Sequence, residues 1–162
     1  MSAEEMLRRL EILEDIEAIK RLKRSYCYYA DDGISGNSAR WEDFITHWVN
    51  DCWADFGPFG VHHGKQEVAQ FYKKTVPSIL SYSAHMVTNP IIDVSNDTAS
   101  GKWYVFVPCT TQSSNEAAWL LAKYDEEYVK DKGEWKWKSI TARFDFISPF
   151  SEGWVKTPMV GS

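Results

Sequence analysis

Cysteine is scarce in this chain of 162 residues, and the three present follow no pattern. Cys27, Cys52 and Cys109 include no CxxC pair, which excludes zinc ribbons and dithiol redox motifs. An odd, unpatterned set reads as free thiols in a reducing cytoplasm. Long apolar runs are missing too. None approaches the roughly 20 residues a membrane span needs. The opening MSAEEMLRRL is charged and has no apolar core, so no secretory leader is expected. Positive charge is in deficit. The net charge of -5 argues against nucleic acid, whose phosphates reward a basic face. Arg8-Arg9 and Lys20 to Arg24 lie among acids at helical spacing and read as a solvated helix face. No glycine-rich phosphate loop and no ligand cluster occur, so neither an organic cofactor nor a metal is expected. His62-His63 looks like a metal pair, but adjacent strand residues point to opposite faces and no third partner is near in sequence.

Rings are in excess. Eight Trp, eight Tyr and eight Phe make 15% of the chain. Such side chains are large and stiff, and they belong in a core, a pocket or a subunit interface. The length suits one domain spanning residues 1–162, large enough to stand without staples.

Ser2 and Glu5 have the spacing of a capping box, so a helix should begin at Ala3. Leu7, Leu10, Leu13, Ile16, Ile19, Leu22, Tyr26 and Tyr29 follow in steps of three and four, one apolar stripe on a long helix. Gly33 and Gly36 should stop it, with Ser35 and Asn37 in a loop. A second helix is expected from about Ala39 to Val49, burying Trp41, Phe44, Ile45 and Trp48. Asp51 to Phe56 and Val61 to His63 read as short strands around Gly57-Pro58. A third helix follows Gly64, carries Val68, Phe71 and Tyr72, and should end at Pro77. Four β-rich segments come next: Ser83 to Val94, Gly101 to Thr111, Ala117 to Lys130 and Glu134 to Phe146. Asn96-Asp97, Gln112 to Asn115 and Asp131-Lys132-Gly133 connect them. Helices first and sequential strands after imply an α+β layering, a curved, mostly antiparallel meander wrapped around the helices like a cone. The closed end of such a cone is a natural pocket.

Four stretches carry a resemblance to a known superfamily. They are Asp15-Ile16-Glu17-Ala18-Ile19-Lys20 running to Tyr26 and Ala30-Asp31-Asp32-Gly33; Ser83-Ala84-His85-Met86 with Thr88-Asn89-Pro90; Ala99-Ser100-Gly101-Lys102-Trp103-Tyr104; and Gly133-Glu134-Trp135-Lys136 followed by Arg143. Over about Asp15 to Phe150 the chain resembles the nuclear transport factor 2-like superfamily. Within it, it looks like the polyketide-cyclase-like (SnoaL-like) branch that holds scytalone dehydratase, bile-acid 7α-dehydratase and hexachlorocyclohexane dehydrochlorinase. The resemblance implies an Asp at the end of the first helix paired with a His at the start of a strand, which match Asp31 and His85. It adds a Tyr five residues before the Asp, here Tyr26, and loosely matches Arg143. The bile-acid enzyme's additional Asp has no counterpart, because that strand reads Val105-Phe106-Val107. A trimer, or failing that a dimer, of identical chains is also implied.

A His–Asp pair of this kind can remove a proton beside a carbonyl or from a phenol, while Tyr26 or Arg143 polarises the oxygen that gains charge. Catalytic roles therefore fall on His85, Asp31 and Tyr26, and substrate contacts on Arg143, Tyr28, Trp103 and Tyr104. Tyr28 competes with Tyr26, since it stands three residues before Asp31 and so on nearly the same helix face. Either Trp103 or Tyr104 should face inward, and the sequence leaves open which. The expected function is a cofactor-free lyase acting on a hydrophobic small molecule, phenolic or polycyclic, by dehydration or a related elimination. Carbon–carbon cleavage, such as formaldehyde loss from a lignin-derived diaryl alcohol, would use the same base. A ketosteroid-isomerase-like isomerase and a non-catalytic small subunit of a ring-hydroxylating dioxygenase are the alternatives.

Overall fold

Ser2 accepts a hydrogen bond from the Glu5 amide at 3.1 Å and opens α1, Ala3–Ile34. The computed structural model describes residues 1–36 and 38–159. Asn37 of the expected loop and residues 160–162 of the tail lie outside the described residues. At 1.5 Å per residue α1 is roughly 48 Å long, and only its C-terminal half packs into the core. Its apolar stripe is buried only from Ile19 onward, while Leu7, Leu10 and Leu13 stand exposed. Gly33 does not stop the helix as expected. The chain leaves it at Ser35 and turns at Gly36, whose φ of 97° suits a residue without a side chain.

Helix α2, Ser38–Thr46, is shorter than its predicted span, because Trp48 begins a strand instead. That strand is β1, Trp48–Asp55, and β2, Val61–His63, pairs antiparallel to it. Helix α3, Gly64–Gln70, widens into a π-helical turn over Phe71–Thr75 and ends as α4, Val76–Ile79. Pro77 does not end the helical run. It sits in the first turn of α4, where its missing N–H costs nothing.

The β-rich half forms β3 (Leu80–Ser83), β4 (Met86–Ser95), β5 (Thr98–Thr111), β6 (Ala117–Asp131) and β7 (Glu134–Pro149). The predicted strand from Ser83 to Val94 is thus split at Ala84-His85. Both pieces pair antiparallel with β5, β3 near Cys109 and β4 from Phe106 backward. The sheet runs β2-β1-β7-β6-β5-β3, with β4 also on β5, and it curls strongly around the helices. It is mixed rather than purely antiparallel, because β1 lies parallel to β7. Residues of β5 alternate strictly between faces, with Ala99, Gly101, Trp103, Val105, Val107 and Cys109 turned into the core.

Ring contacts fill the space between the layers. Phe44 meets Tyr26, Tyr72 and Trp137 at centroid distances of 5.8, 4.8 and 5.5 Å. No helix among the described residues is long and apolar enough to cross a membrane.

Candidate active site

The break between β3 and β4 is what presents His85. Its backbone N–H is released from the ladder and donates instead to the Asp31 carboxylate, at 3.0 and 3.2 Å to the two oxygens. Its ring Nδ1 lies 2.7 Å from Asp31 Oδ1, and the Ser83 hydroxyl donates to the same oxygen at 2.7 Å. Burial pushes the Asp31 carboxyl up, but the His85 ring, Ser83 and the His85 amide outweigh it and hold the group below its ordinary range. An ionised carboxylate only accepts hydrogen bonds, so Nδ1 carries the proton of this contact. The other ring nitrogen, Nε2, is then left with a lone pair when the ring is neutral.

His85 forms part of the wall of an apolar cavity of about 200 Å³. Phe56, Phe71, Val107, Leu120, Phe144 and Ile147 supply much of its apolar surface. Phe56 and Phe71 stack with centroids 4.3 Å apart. Tyr26 also lines it, with its ring edge-on to the His85 ring at 5.4 Å and its hydroxyl 3.3 Å from that of Tyr124. The expected Asp31, His85 and Tyr26 are therefore brought together.

The four residues expected to contact substrate do not line this cavity, each for a simple geometric reason. Tyr28 is 68% exposed. On a regular helix it lies about 200° round from Tyr26, whereas Asp31 lies at about 140° and reaches His85 from the flank of the buried stripe. Sharing a side with Asp31 thus puts Tyr28 outside. Tyr104 points outward from β5, where Lys123 lies over its ring at 5.4 Å. Arg143 is on the outer face too, exposed and paired with Asp125 at 2.5 Å. Trp103 is the inward member of its pair, yet it stops short of the cavity and donates from Nε1 to the Tyr128 hydroxyl at 3.1 Å.

Behind the cavity lies a buried polar network. Lys23 and Glu126, both without solvent exposure, pair at 2.5 Å. Glu126 also accepts from the Tyr128 hydroxyl and from Trp137 Nε1. The Lys23 ammonium sits over two rings, Tyr26 and Tyr124, each at 4.3 Å. Desolvation drives the Lys23 pKa down, and the Glu126 carboxylate works against it.

The candidate site residues of the sequence do not include Ser83, which holds Asp31, or Tyr72 and Tyr124, which line the cavity. Ser83 had a signal, since it stands two residues before His85 in an extended stretch. Tyr124 had one in pairing alone, as the cross-strand partner of Trp103. Tyr72 was seen only as one more apolar residue of a helix. Among the described residues no group of three His, Cys, Asp or Glu could hold a metal ion.

A curled sheet closed over helices, with a cavity between them, is the nuclear transport factor 2-like fold. The chain belongs to the SnoaL-like domain family, whose model matches residues 11–141. A hexachlorocyclohexane dehydrochlorinase from Novosphingobium barchaimii superposes with a TM-score of 0.78 at 20% identity, covering 88% of this chain and 94% of that one. A candidate scytalone dehydratase from Novosphingobium aromaticivorans gives 0.74 at 20% identity, covering 93% and 95%. A candidate aromatic ring hydroxylase from the same species gives 0.73 at 21%, covering 85% and 94%. No curated protein matches the sequence.

Proposed function

We propose that this protein is a cofactor-independent lyase that eliminates a leaving group from a compact hydrophobic molecule. The observation that carries the reading is the 2.7 Å contact between His85 Nδ1 and Asp31 at the wall of an apolar cavity. In this reading His85 Nε2 takes a proton from substrate carbon. The C–H electron pair becomes the new double bond, and the leaving group departs with its own pair. Where that group is hydroxide, the imidazolium returns the proton and water leaves. Asp31 fixes the ring and stabilises it while it is charged. Tyr26 polarises the oxygen on which negative charge grows. Apolar walls exclude water and strengthen each of these contacts.

The structural relatives with dehydrochlorinase and dehydratase names are in keeping with elimination. Cavity size narrows the substrate. An engineered cavity of roughly 150 Å³ takes up benzene, so a space of about 200 Å³ has room for one substituted ring or a small fused pair. This favours elimination from a compact phenolic or aryl alcohol over a polycyclic substrate. Three cysteines that stay unpaired are in keeping with a cytoplasmic reaction.

The test is turnover of a panel of one-ring and two-ring aryl alcohols. His85→Ala is expected to lower the rate by about 10²–10⁴-fold while leaving the melting temperature within a few degrees. A His85→Ala protein that keeps most of its activity would overturn the reading and favour a binding role.

A further inference from the structure

The buried wall of the cavity ends in a half-buried rim. Tyr26, Phe56, Phe71, Tyr72, Val107 and Tyr124 are buried in its depth, while Phe59, Val76, Leu120, Phe144 and Ile147 are partly exposed. Four of these rim residues stand on α4, β6 and β7. Phe59 does not. It belongs to a 3₁₀ turn, Gly57–Phe59, that lies outside the ladder closed by the β1–β2 pair Asp55 and Val61. The Phe59 ring meets the Phe144 ring edge-on at 5.6 Å, and the two narrow the mouth.

The turn is built to move as one piece. Its backbone hydrogen bonds close on themselves: the Phe56 N–H donates to the Gly60 carbonyl at 3.0 Å, the Phe59 N–H to that of Phe56 at 3.1 Å and the Gly60 N–H to that of Gly57 at 3.1 Å. Tilting the turn therefore keeps these groups satisfied and leaves the sheet ladder whole. Glycines stand at both ends, with φ of 55° at Gly57 and 97° at Gly60, and glycine rotates from such values without the clash a side chain brings. From β2, His62 reaches back to the turn. A carbonyl only accepts, so His62 Nε2 donates to that of Phe59, at 3.3 Å. The His62 ring packs on Phe71 at 4.7 Å and is not part of the cavity wall. His62 thus ties the turn down from outside the space a ligand would fill.

We propose that Phe59 is the gate of the cavity and selects what enters it. The turn tilts about Gly57 and Gly60, the Phe59 ring leaves Phe144, and a flat one-ring aromatic molecule passes between them. A ring with substituents on both edges needs a wider opening and enters slowly. His62 is the latch that returns the turn to the rim. This deepens the elimination reading and rests on it for the identity of the cavity as the substrate site.

The experiment follows the binding of nitrobenzene, and of the wider nitromesitylene, by stopped-flow quenching of tryptophan fluorescence, since Trp41 lines the cavity. A gate acts on entry and exit alike, whereas a residue that merely packs on the ligand acts on exit. Phe59→Ala is expected to raise the association and dissociation rates of nitrobenzene together, each by about 5- to 20-fold, and to change Kd by less than about threefold. His62→Ala, which removes no part of the wall, is expected to raise both rates by roughly 2- to 5-fold at constant Kd. Gly57→Asn keeps the left-handed backbone but stiffens it, so both rates are expected to fall by about 2- to 5-fold. The parent is expected to admit nitromesitylene at least about 10-fold more slowly than nitrobenzene, and Phe59→Ala to remove most of that difference. Unchanged association rates in Phe59→Ala and His62→Ala overturn the gate, and an undiminished preference for nitrobenzene in Phe59→Ala overturns the selection. No turnover enters these measurements. A gate effect with turnover surviving in His85→Ala would keep the gate and remove the elimination chemistry, and a missing gate effect with turnover abolished in His85→Ala would do the reverse.

Discussion

Asp31 accepts hydrogen bonds from three groups: the His85 ring, the His85 amide and the Ser83 hydroxyl. Its carboxyl is held below the ordinary value of 3.8. A group whose folded pKa is depressed adds stability that is complete above the unfolded value and is lost as pH falls through the folded one. Acid titration below about pH 4 should therefore cost the parent more stability than it costs Asp31→Asn, and the two stability curves should converge at low pH. Thermal melts across pH 2 to 6 check this, and parallel curves would contradict it. Asp31 and His85 could be proposed from the sequence because the resemblance tied them to positions. Ser83 stood in the same stretch, but nothing in a single sequence says that a strand will break just after it and turn its hydroxyl to Asp31. Tyr28 misled because a shared helix side was judged relative to Asp31 alone. The direction of the core was set by Ile19, Tyr26, Ala30 and Gly33 together.

Helix α1 and helix α2 meet at one glycine. A Cβ on Gly33 would lie 2.0 to 2.4 Å from the atoms of the Trp41 indole. Trp41 is buried, with its ring against Phe44 at 5.7 Å and Tyr72 at 5.1 Å, so moving it away from Gly33 disturbs those contacts. Gly33→Ala should therefore destabilise by about 1–3 kcal/mol or more, the usual cost of overpacking, even though alanine is the better helix former. Chemical denaturation gives the answer, and a stabilised Gly33→Ala would show that the two helices do not pack this closely. In the sequence Gly33 reads as a helix stop. Its use as a close-approach point needs a partner 8 residues on in a different helix, which periodicity does not report. The elements themselves were legible where one face is plainly apolar, as along β5 to β7. They were not legible at the π-helical turn over Phe71–Thr75, where a widened helix changes the face on which Tyr72 emerges.

At the scale of the whole molecule, the core is divided between an apolar cavity and the charged network behind it. Lys23 and Glu126 are fully enclosed, so removing one partner strands the other. Lys23→Met should cost about 3–5 kcal/mol, and adding Glu126→Gln should recover part of that loss. Urea denaturation of the two single variants and the double decides it, and additive losses would contradict the coupling. This pair was not legible beforehand, because 103 positions separate its members and charge alone reads as surface. The outer face of the sheet carries a different surplus. Phe106 stacks on Trp119 and Phe146 on Trp154, while Met86, Ile91 and Tyr104 are exposed on or beside β5. We propose that this face joins identical chains, as a trimer ahead of a dimer. Light scattering is expected to give a mass near three times 18.7 kDa, and a stable monomer at working concentration would end the idea.

The central claim is that His85 and Asp31 act as one unit on a substrate held in the cavity. A double-mutant cycle in kcat/KM measures this directly, using His85→Ala, Asp31→Asn and the double variant on whichever aryl alcohol the parent turns over. Each single change is expected to cost about 10²–10⁴-fold, and the double variant should be little worse than the worse single one. Losses that multiply would mean that the two residues work independently, and an Asp31→Asn protein of near-parental rate would contradict the account outright.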